Sequence, residues 1–135
     1  MIKMNSFVIK KTNILINSNR GLKTIANGVQ FNTIAREWRM KWSPENEKQS
    51  LSNAQNELVK IKNELKNLTG LKSVQRIVCG GCHDFKVIVS LDADKWADWE
   101  KTKFQPEERF LSAIKNIKGI SQVETQTYTI MPVEL

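Results

Sequence analysis

The fold is decided by residues 65–75, which read LKNLTGLKSVQ, because a closely related stretch, IKNIKGISQVE, returns at residues 114–124. Four positions are identical in the two copies: Lys66/Lys115, Asn67/Asn116, Gly70/Gly119 and Val74/Val123. Each copy has the pattern of a helix end, a glycine that stops the helix and the first residues of a strand. A repeated supersecondary unit predicts a pseudo-symmetric fold built from two similar halves.

Hydrophobic periodicity predicts the remaining elements. Strands are expected at residues 37–43, 74–79, 84–91 and 123–131. A long helix is expected from Ser43-Pro44-Glu45 to Gly70, and a second main helix from Pro106 to Gly119, because each begins with proline followed by an acidic residue. Asp92 is expected to cap a short helical turn between them. The order β-α-β-β-α-β predicts a ferredoxin-like α+β fold, in which a four-stranded antiparallel sheet carries two helices on one face.

The alternation within the strands also predicts which face of the sheet is buried. Trp38, Met40 and Trp42 share one face of the first strand, and Phe85, Val87, Val89 and Leu91 share the inward face of the third. The opposite face is expected to carry Arg39, Lys41, Lys86, Ile88 and Ser90. A face with this polar and basic character favours a wet or anion-holding cavity over a dry interface.

The charge of the chain is divided unevenly between two regions. The net charge is +7, and residues 1–36 contribute six basic residues and no acid, whereas residues 37–135 contribute 15 basic residues and 14 acids. We therefore expect a basic N-terminal arm over 1–36, transit-like or used to dock into an assembly, and a ferredoxin-like domain over 37–135. The arm favours a mitochondrial or other organellar matrix, with the cytoplasm as the alternative.

Two further interpretations of this first region stay open. Residues 7–16 form an edge strand in one of them, with a turn at Asn27-Gly28. In the other, the region is an ordinary basic arm. No apolar run approaches the roughly 20 residues that a membrane span needs, so no transmembrane segment is expected.

Both cysteines and the single histidine lie together in Cys79-Gly80-Gly81-Cys82-His83. This spacing suits thiolate ligands that converge at a tight turn, so Cys79, Cys82 and His83 are candidate metal ligands, with zinc as the metal. It is also the spacing of c-type haem attachment, and that of a redox dithiol. The favoured interpretation is that Cys79 is a small strand residue and Cys82 a turn residue, with no cofactor bound.

The remaining polar and aromatic residues do not assemble a catalytic set. Asp84 is expected to cap the turn or to orient a ligand, and it points away from His83 because neighbouring strand residues face opposite sides. No nucleophile, base and acid can be grouped by sequence, so no catalytic residue is predicted. Trp96 and Trp99 are expected to pack in the core, and lining a pocket is the alternative.

Gly81-Cys82-His83-Asp84 and the run from Gly119 to Thr125 resemble the hairpin and the closing segment of the stand-alone ligand-binding domain of the Lrp/AsnC regulators, and more loosely the dimeric α/β-barrel superfamily. The resemblance covers residues 37–133. It implies dimers or larger rings that bind small molecules near the hairpin. The candidate ligand-binding residues are Gly81, His83, Asp84, Arg39, Lys41 and Lys86. The family's helix-turn-helix is missing, so no direct DNA binding is expected.

These observations favour a non-catalytic small-molecule-binding or oligomerisation module, which would be an accessory subunit of a larger assembly or a homo-oligomer. The first alternative is a small dimeric α/β-barrel enzyme, of the isomerase or cofactor-free oxygenase type. The second is a metal-binding or redox CxxC protein. Binding of single-stranded RNA is disfavoured, because the outward positions of the third strand carry no aromatic side chain for base stacking.

Overall fold

A computed structural model of the chain describes residues 21–135. Six strands and three helices follow one another in this part of the chain: β1 (Lys23–Ala26), β2 (Val29–Phe31), β3 (Thr33–Lys41), α1 (Glu45–Lys66), β4 (Leu71–Val78), β5 (Asp84–Asp92), α2 (Trp96–Lys101), α3 (Glu107–Lys115) and β6 (Ser121–Thr129). A 3₁₀ turn at Ala93–Lys95 leads into α2.

The main sheet has four strands in the order β4-β5-β3-β6, and every neighbouring pair is antiparallel. Trp38, in the central strand β3, pairs with Val87 on one side and with Thr125 on the other. The predicted ferredoxin-like α+β fold is therefore confirmed, with the helices on the face that carries Trp38 and Val87.

The two copies of the repeat occupy equivalent places in the fold. The first joins α1 to β4 through Gly70, and the second joins α3 to β6 through Gly119. Both glycines have positive φ angles, of 82° and 99°, which side chains with a Cβ rarely adopt. The left-handed glycine lets the chain leave the helix and turn directly into a strand.

The core lies between the sheet and the helices. It is made of large apolar side chains from β3, β5, α1, α2 and α3, and Trp38, Phe85, Trp96 and Phe110 among them are at most 1% exposed. Leu58, Ile61 and Leu65 supply the buried stripe of α1. All the predicted inward residues of the third strand are buried, as expected. Of the residues predicted to face outward, Ile88 and Ser90 are also buried, at 7% and 4% exposure, so the predicted alternation is correct for the inward side only.

The first strand of the main sheet begins earlier than the sequence predicts. It starts at Thr33 rather than at residue 37, and so it crosses the expected boundary between residues 36 and 37. The reason is Arg36, a charged side chain at an inward position, which interrupts the apolar pattern although it is only 8% exposed. A small β1–β2 hairpin precedes this strand, and it turns at Asn27-Gly28 as one interpretation expected.

None of the helices between residues 21 and 135 is both long and apolar enough to cross a membrane. The strand considered over 7–16, and most of the basic arm, lie outside the described residues. The organellar location stays a prediction from composition.

Candidate functional site

Four of the predicted ligand-binding residues come together on the open face of the sheet, where β3 and β5 run side by side. Lys41 pairs with Asp84, and Arg39 with Lys86. The Lys41 ammonium lies 2.6 Å from an Asp84 carboxylate oxygen. This ion pair, helped by the charges of Lys86 and Arg39, lowers the pKa of Asp84 below its usual range.

This face is charge-compensated rather than simply basic. Arg39 donates to Glu124 at 2.9 Å and to Glu37 at 3.2 Å. Glu37 is 5% exposed and also accepts a 2.7 Å hydrogen bond from the Tyr128 hydroxyl. Burial, and then the bond to Glu37, raise the pKa of Tyr128 well above its usual range. We call Glu37, Arg39, Glu124 and Tyr128 the open-face network. It was not predicted from the sequence, because its members meet only through the pairing of β3 with β6.

His83 does not join this set. Its ring packs on Trp42, with centroids 4.7 Å apart, and its carbonyl accepts a 2.9 Å hydrogen bond from the Trp42 backbone N–H. Its φ of 63° places it in the left-handed region at the end of the turn. Gly81 lies in the same exposed turn. The structure therefore divides the predicted site, with Asp84 beside Lys41 and His83 against Trp42.

Cys79 and Cys82 are joined by a disulfide across the β4–β5 turn, with Cα atoms 5.6 Å apart. In this form neither sulfur is a thiolate, so neither is free to bind zinc or a haem vinyl group. No group of three His, Cys, Asp or Glu side chains among residues 21–135 is arranged to hold a metal ion. The arrangement thus differs from the predicted metal site of Cys79, Cys82 and His83.

A buried polar network on the helix side of the sheet was also missed. Arg36 donates to both oxygens of Glu107, at 2.8 and 3.1 Å, and the Trp38 indole donates to the same carboxylate at 2.6 Å. Thr125 and Thr127 accept the other guanidinium hydrogens at 3.2 and 2.7 Å. These contacts satisfy a buried charge and join three elements, β3, β6 and α3.

Aromatic rings surround this network. The Arg36 guanidinium lies 4.2 Å from the Phe104 ring centroid, and Trp38 contacts Trp99 and Phe110 at centroid distances of 6.5 and 5.2 Å. Trp96 and Trp99 are buried, as core packing predicts. This closely packed region positions the strands.

A groove lies between α1 and the edge strand β4. Its cavity has a volume of about 630 Å³. Ten residues line it: Gln55, Leu58, Lys62, Asn63, Leu65, Lys66, Leu71, Val74, Gln75 and Arg76. Val74 faces α1 yet is 37% exposed, because the helix does not cover the edge of the sheet. A ligand of moderate size can therefore contact the apolar floor.

A second cavity of about 410 Å³ continues the groove toward the hairpin and shares Gln55 and Arg76 with the first. Arg76 donates a 2.8 Å hydrogen bond to Gln55, and this bond stands between the two cavities. Val78, 41% exposed, supplies an apolar wall on the far side. The groove therefore has two compartments separated by one polar bridge.

The charges around the first compartment all have the same sign. Lys62, Lys66 and Arg76 line it together with three amides and four apolar residues, and the lining contains no carboxylate. Cations beside an apolar floor attract a hydrophobic anion and lower the pKa of an acidic group on it. The groove was not predicted from the sequence, because Lys62 and Lys66 are exposed residues of α1 whereas Arg76 belongs to β4, and the three cations come together only in the fold.

No protein-family model matches the chain, and no curated protein matches it in sequence. Solved structures match its fold. One is described as a putative antibiotic biosynthesis monooxygenase from Deinococcus radiodurans (TM-score 0.57, 10% identity, covering 76% of this chain and 96% of that chain). A second, from Caulobacter crescentus CB15, carries the same description (TM-score 0.54, 11% identity, covering 76% of this chain and 92% of that chain). A third is a mutant of SnoaB, a cofactor-independent oxygenase from Streptomyces nogalater (TM-score 0.50, 12% identity, covering 76% of this chain and 96% of that chain).

These matches support the ferredoxin-like fold that the resemblance implied, but they do not support the Lrp/AsnC family within it. They also correct the functional prediction. A non-catalytic binding or oligomerisation module was the favoured interpretation, and it is wrong: the matching structures are described as monooxygenases, so the alternative of a small enzyme is the better one. At these identities the likeness establishes the shared fold of the chain.

Proposed function

We propose that this protein is a small cofactor-free oxygenase that binds a planar, hydrophobic, acidic substrate in the groove between α1 and β4. The observation that carries the proposal is the lining of the groove, in which Lys62, Lys66 and Arg76 stand around an apolar floor with no carboxylate. The fold supports it, because structures that share the fold are described as monooxygenases and one as a cofactor-independent oxygenase.

The chemistry requires a substrate whose carbanion or enolate can reduce oxygen directly. An anthrone has this property, since its methylene group lies between two aromatic rings and is conjugated to the carbonyl. The cations of the groove favour the deprotonated form. One electron passes from the anion to O₂, the two radicals combine, and the protonated hydroperoxide loses water. The methylene becomes a carbonyl, and the balance is R₂CH₂ + O₂ → R₂C=O + H₂O.

The residues have distinct roles in this proposal. Leu58 and Val74 contact the rings, and Lys62, Lys66 and Arg76 hold the negative charge. Gln55 keeps the Arg76 guanidinium turned toward the groove. Oxygen is small and apolar, so the adjoining compartment beside Val78 is a suitable place for it.

Oxygen uptake with an anthrone, in buffer treated with a metal chelator, tests the proposal. We expect formation of the quinone above the spontaneous rate. Arg76→Ala is expected to lower kcat/KM about tenfold to a hundredfold, as the loss of one charge contact in the transition state predicts. Lys115→Ala, an exposed lysine at the end of α3 and outside the groove, is the matched control and should leave the rate unchanged.

Two outcomes would contradict the proposal. One is a rate no higher than that of the buffer. The other is that the variants Lys62→Ala, Lys66→Ala and Arg76→Ala all react as fast as Lys115→Ala. This result would mean that the reaction takes place outside the groove. Assembly into a homo-oligomer remains a prediction. Binding of a small molecule by the predicted set, Gly81, His83, Asp84, Arg39, Lys41 and Lys86, also remains one. Analytical ultracentrifugation tests the first.

A further inference from the structure

The disulfide between Cys79 and Cys82 lies in the turn that joins β4 to β5, where small molecules can reach it. Cys82 is exposed and Cys79 is half-buried. A Cβ atom added to Gly80 or Gly81 would meet no other atom within 4 Å, so the space around the turn is open. A small thiol therefore has a clear approach to the Cys82 sulfur.

The two sulfurs lie in different electrostatic surroundings. The backbone N–H of Cys82 points at the Cys79 sulfur from 3.0 Å, which stabilises a negative charge there. The Cys82 sulfur lies 3.2 Å from an oxygen of Asp84. Because its neighbouring cations lower the pKa of Asp84, that carboxylate is ionised at neutral pH. Its charge opposes a thiolate on Cys82, so Cys79 is the better leaving group.

We propose that this turn is a thiol–disulfide exchange site for small thiols of the glutathione class, in which the incoming sulfur bonds to Cys82 and Cys79 leaves as the thiolate. In the first step RS⁻ attacks Cys82, the bond between Cys79 and Cys82 breaks, and a mixed disulfide forms on Cys82. A second thiolate then attacks that mixed disulfide, releasing RSSR and the Cys82 thiolate. The protein gains two electrons, and two small thiols are oxidised to one disulfide.

Equilibration of the full chain in glutathione buffers of varying ratio tests reversibility. After an acid quench and alkylation, intact-mass spectrometry counts the free thiols. We expect a single transition between zero and two alkyl groups, together with a glutathione adduct that peptide mapping places on Cys82. A chain that stays oxidised in reduced glutathione alone, or stays reduced in oxidised glutathione alone, would overturn the proposal, as would an adduct confined to Cys79.

Single-cysteine variants test the asymmetry separately. Cys82→Ser leaves Cys79 beside the backbone N–H, and Cys79→Ser leaves Cys82 beside Asp84. At neutral pH we expect Cys82→Ser to be alkylated by iodoacetamide about tenfold faster than Cys79→Ser, because its thiolate fraction is larger. Adding Asp84→Asn to Cys79→Ser should recover most of this difference.

Glu108→Gln is the matched control, since it also removes one carboxylate but on an exposed residue of α3. Added to Cys79→Ser, it should leave the alkylation rate unchanged. Equal rates for the two single-cysteine variants, or an equal effect of Asp84→Asn and Glu108→Gln, would overturn the assignment of Cys79 as the leaving group. Neither experiment depends on oxygenase activity, so failure here and failure of the proposed function are distinguishable.

Discussion

The indole N–H of Trp38 donates a 2.6 Å hydrogen bond to the carboxylate of Glu107, which also receives both hydrogen bonds that Arg36 directs to α3. One carboxylate in the first turn of α3 therefore accepts three hydrogen bonds from two buried side chains of the central strand. It fixes the helix against the sheet through polar contacts inside an otherwise aromatic region.

Removing this carboxylate is expected to destabilise the protein. Glu107→Ala leaves the Arg36 guanidinium, whose side chain is 10% exposed, without its anion. We expect a loss of about 3 kcal/mol in the free energy of unfolding, as for other broken buried pairs. Urea denaturation followed by tryptophan fluorescence measures it. The neighbouring exposed Glu108→Ala should change the free energy by less than about 0.5 kcal/mol, and an equal loss in both variants would contradict the role given to Glu107.

Substitution of Gly70 and of Gly28 by alanine distinguishes the cost of a steric clash from the cost of backbone strain. Both have φ near 80°, but a Cβ on Gly70 would lie 2.5 Å from the Lys95 Cβ, whereas a Cβ on Gly28 would meet nothing within 4 Å. We expect Gly28→Ala to cost about 1 kcal/mol from strain alone and Gly70→Ala at least about 2 kcal/mol. Thermal denaturation of both variants measures the difference. Equal losses would show that Lys95 and the backbone move aside freely.

Tyr128 gives a pH dependence that can be measured directly, because it is the chain's single tyrosine. Burial, and then the hydrogen bond to Glu37, raise its pKa above the unfolded value of about 10. The neutral phenol therefore contributes stability that is present below pH 10 and is lost as the pH rises toward the folded pKa. We expect tyrosinate absorbance to appear only well above pH 10, or together with unfolding.

Glu37→Gln is the informative comparison for this titration. It removes the negative charge that faces the phenol and keeps a hydrogen-bond acceptor in its place. The tyrosinate midpoint should then move toward lower pH. A midpoint that stays unchanged would mean that burial alone sets the pKa of Tyr128.

Asp84 titrates in the opposite sense. The hydrogen bond from Lys41 is the main cause that lowers its pKa, so the ionised carboxylate stabilises the folded state above the unfolded pKa of about 3.9 and this contribution is lost as the pH falls through the folded pKa. Lys41→Met should raise the pKa of Asp84 toward its usual value. Carboxyl carbon shifts followed by NMR measure this, and an unmoved titration would contradict the pairing.

Much of the fold can be predicted from the sequence because its two signals act locally. Gly70 and Gly119 end helices through their own backbone freedom, and the large apolar residues at every second position from Phe85 to Leu91 identify the side of β5 that packs in the core. Both are properties of a few consecutive residues, so they can be seen before any tertiary contact is known.

The remainder depends on partners that are distant in sequence. Arg36 is separated from Glu107 by 71 residues, so the sequence does not show that they pair. When the partner is unknown, a charged residue at an inward position is interpreted as the end of a strand. The groove depends on how far α1 extends over β4. Val74 and Val78 lie on the helix side of the sheet beside Val89 and Phe85, and their exposure there depends on the helix and not on their own sequence.

The four tryptophans of the chain, Trp38, Trp42, Trp96 and Trp99, are at most 4% exposed. They are contributed by β3, the residue that follows it and α2, so one optical signal reports on three neighbouring parts of the molecule at once. Water that reaches any of these four side chains should shift the tryptophan emission to longer wavelength before the chain has lost its helices. The intrinsic tryptophan fluorescence of the protein therefore reports whether water has entered its core, and no added label is required.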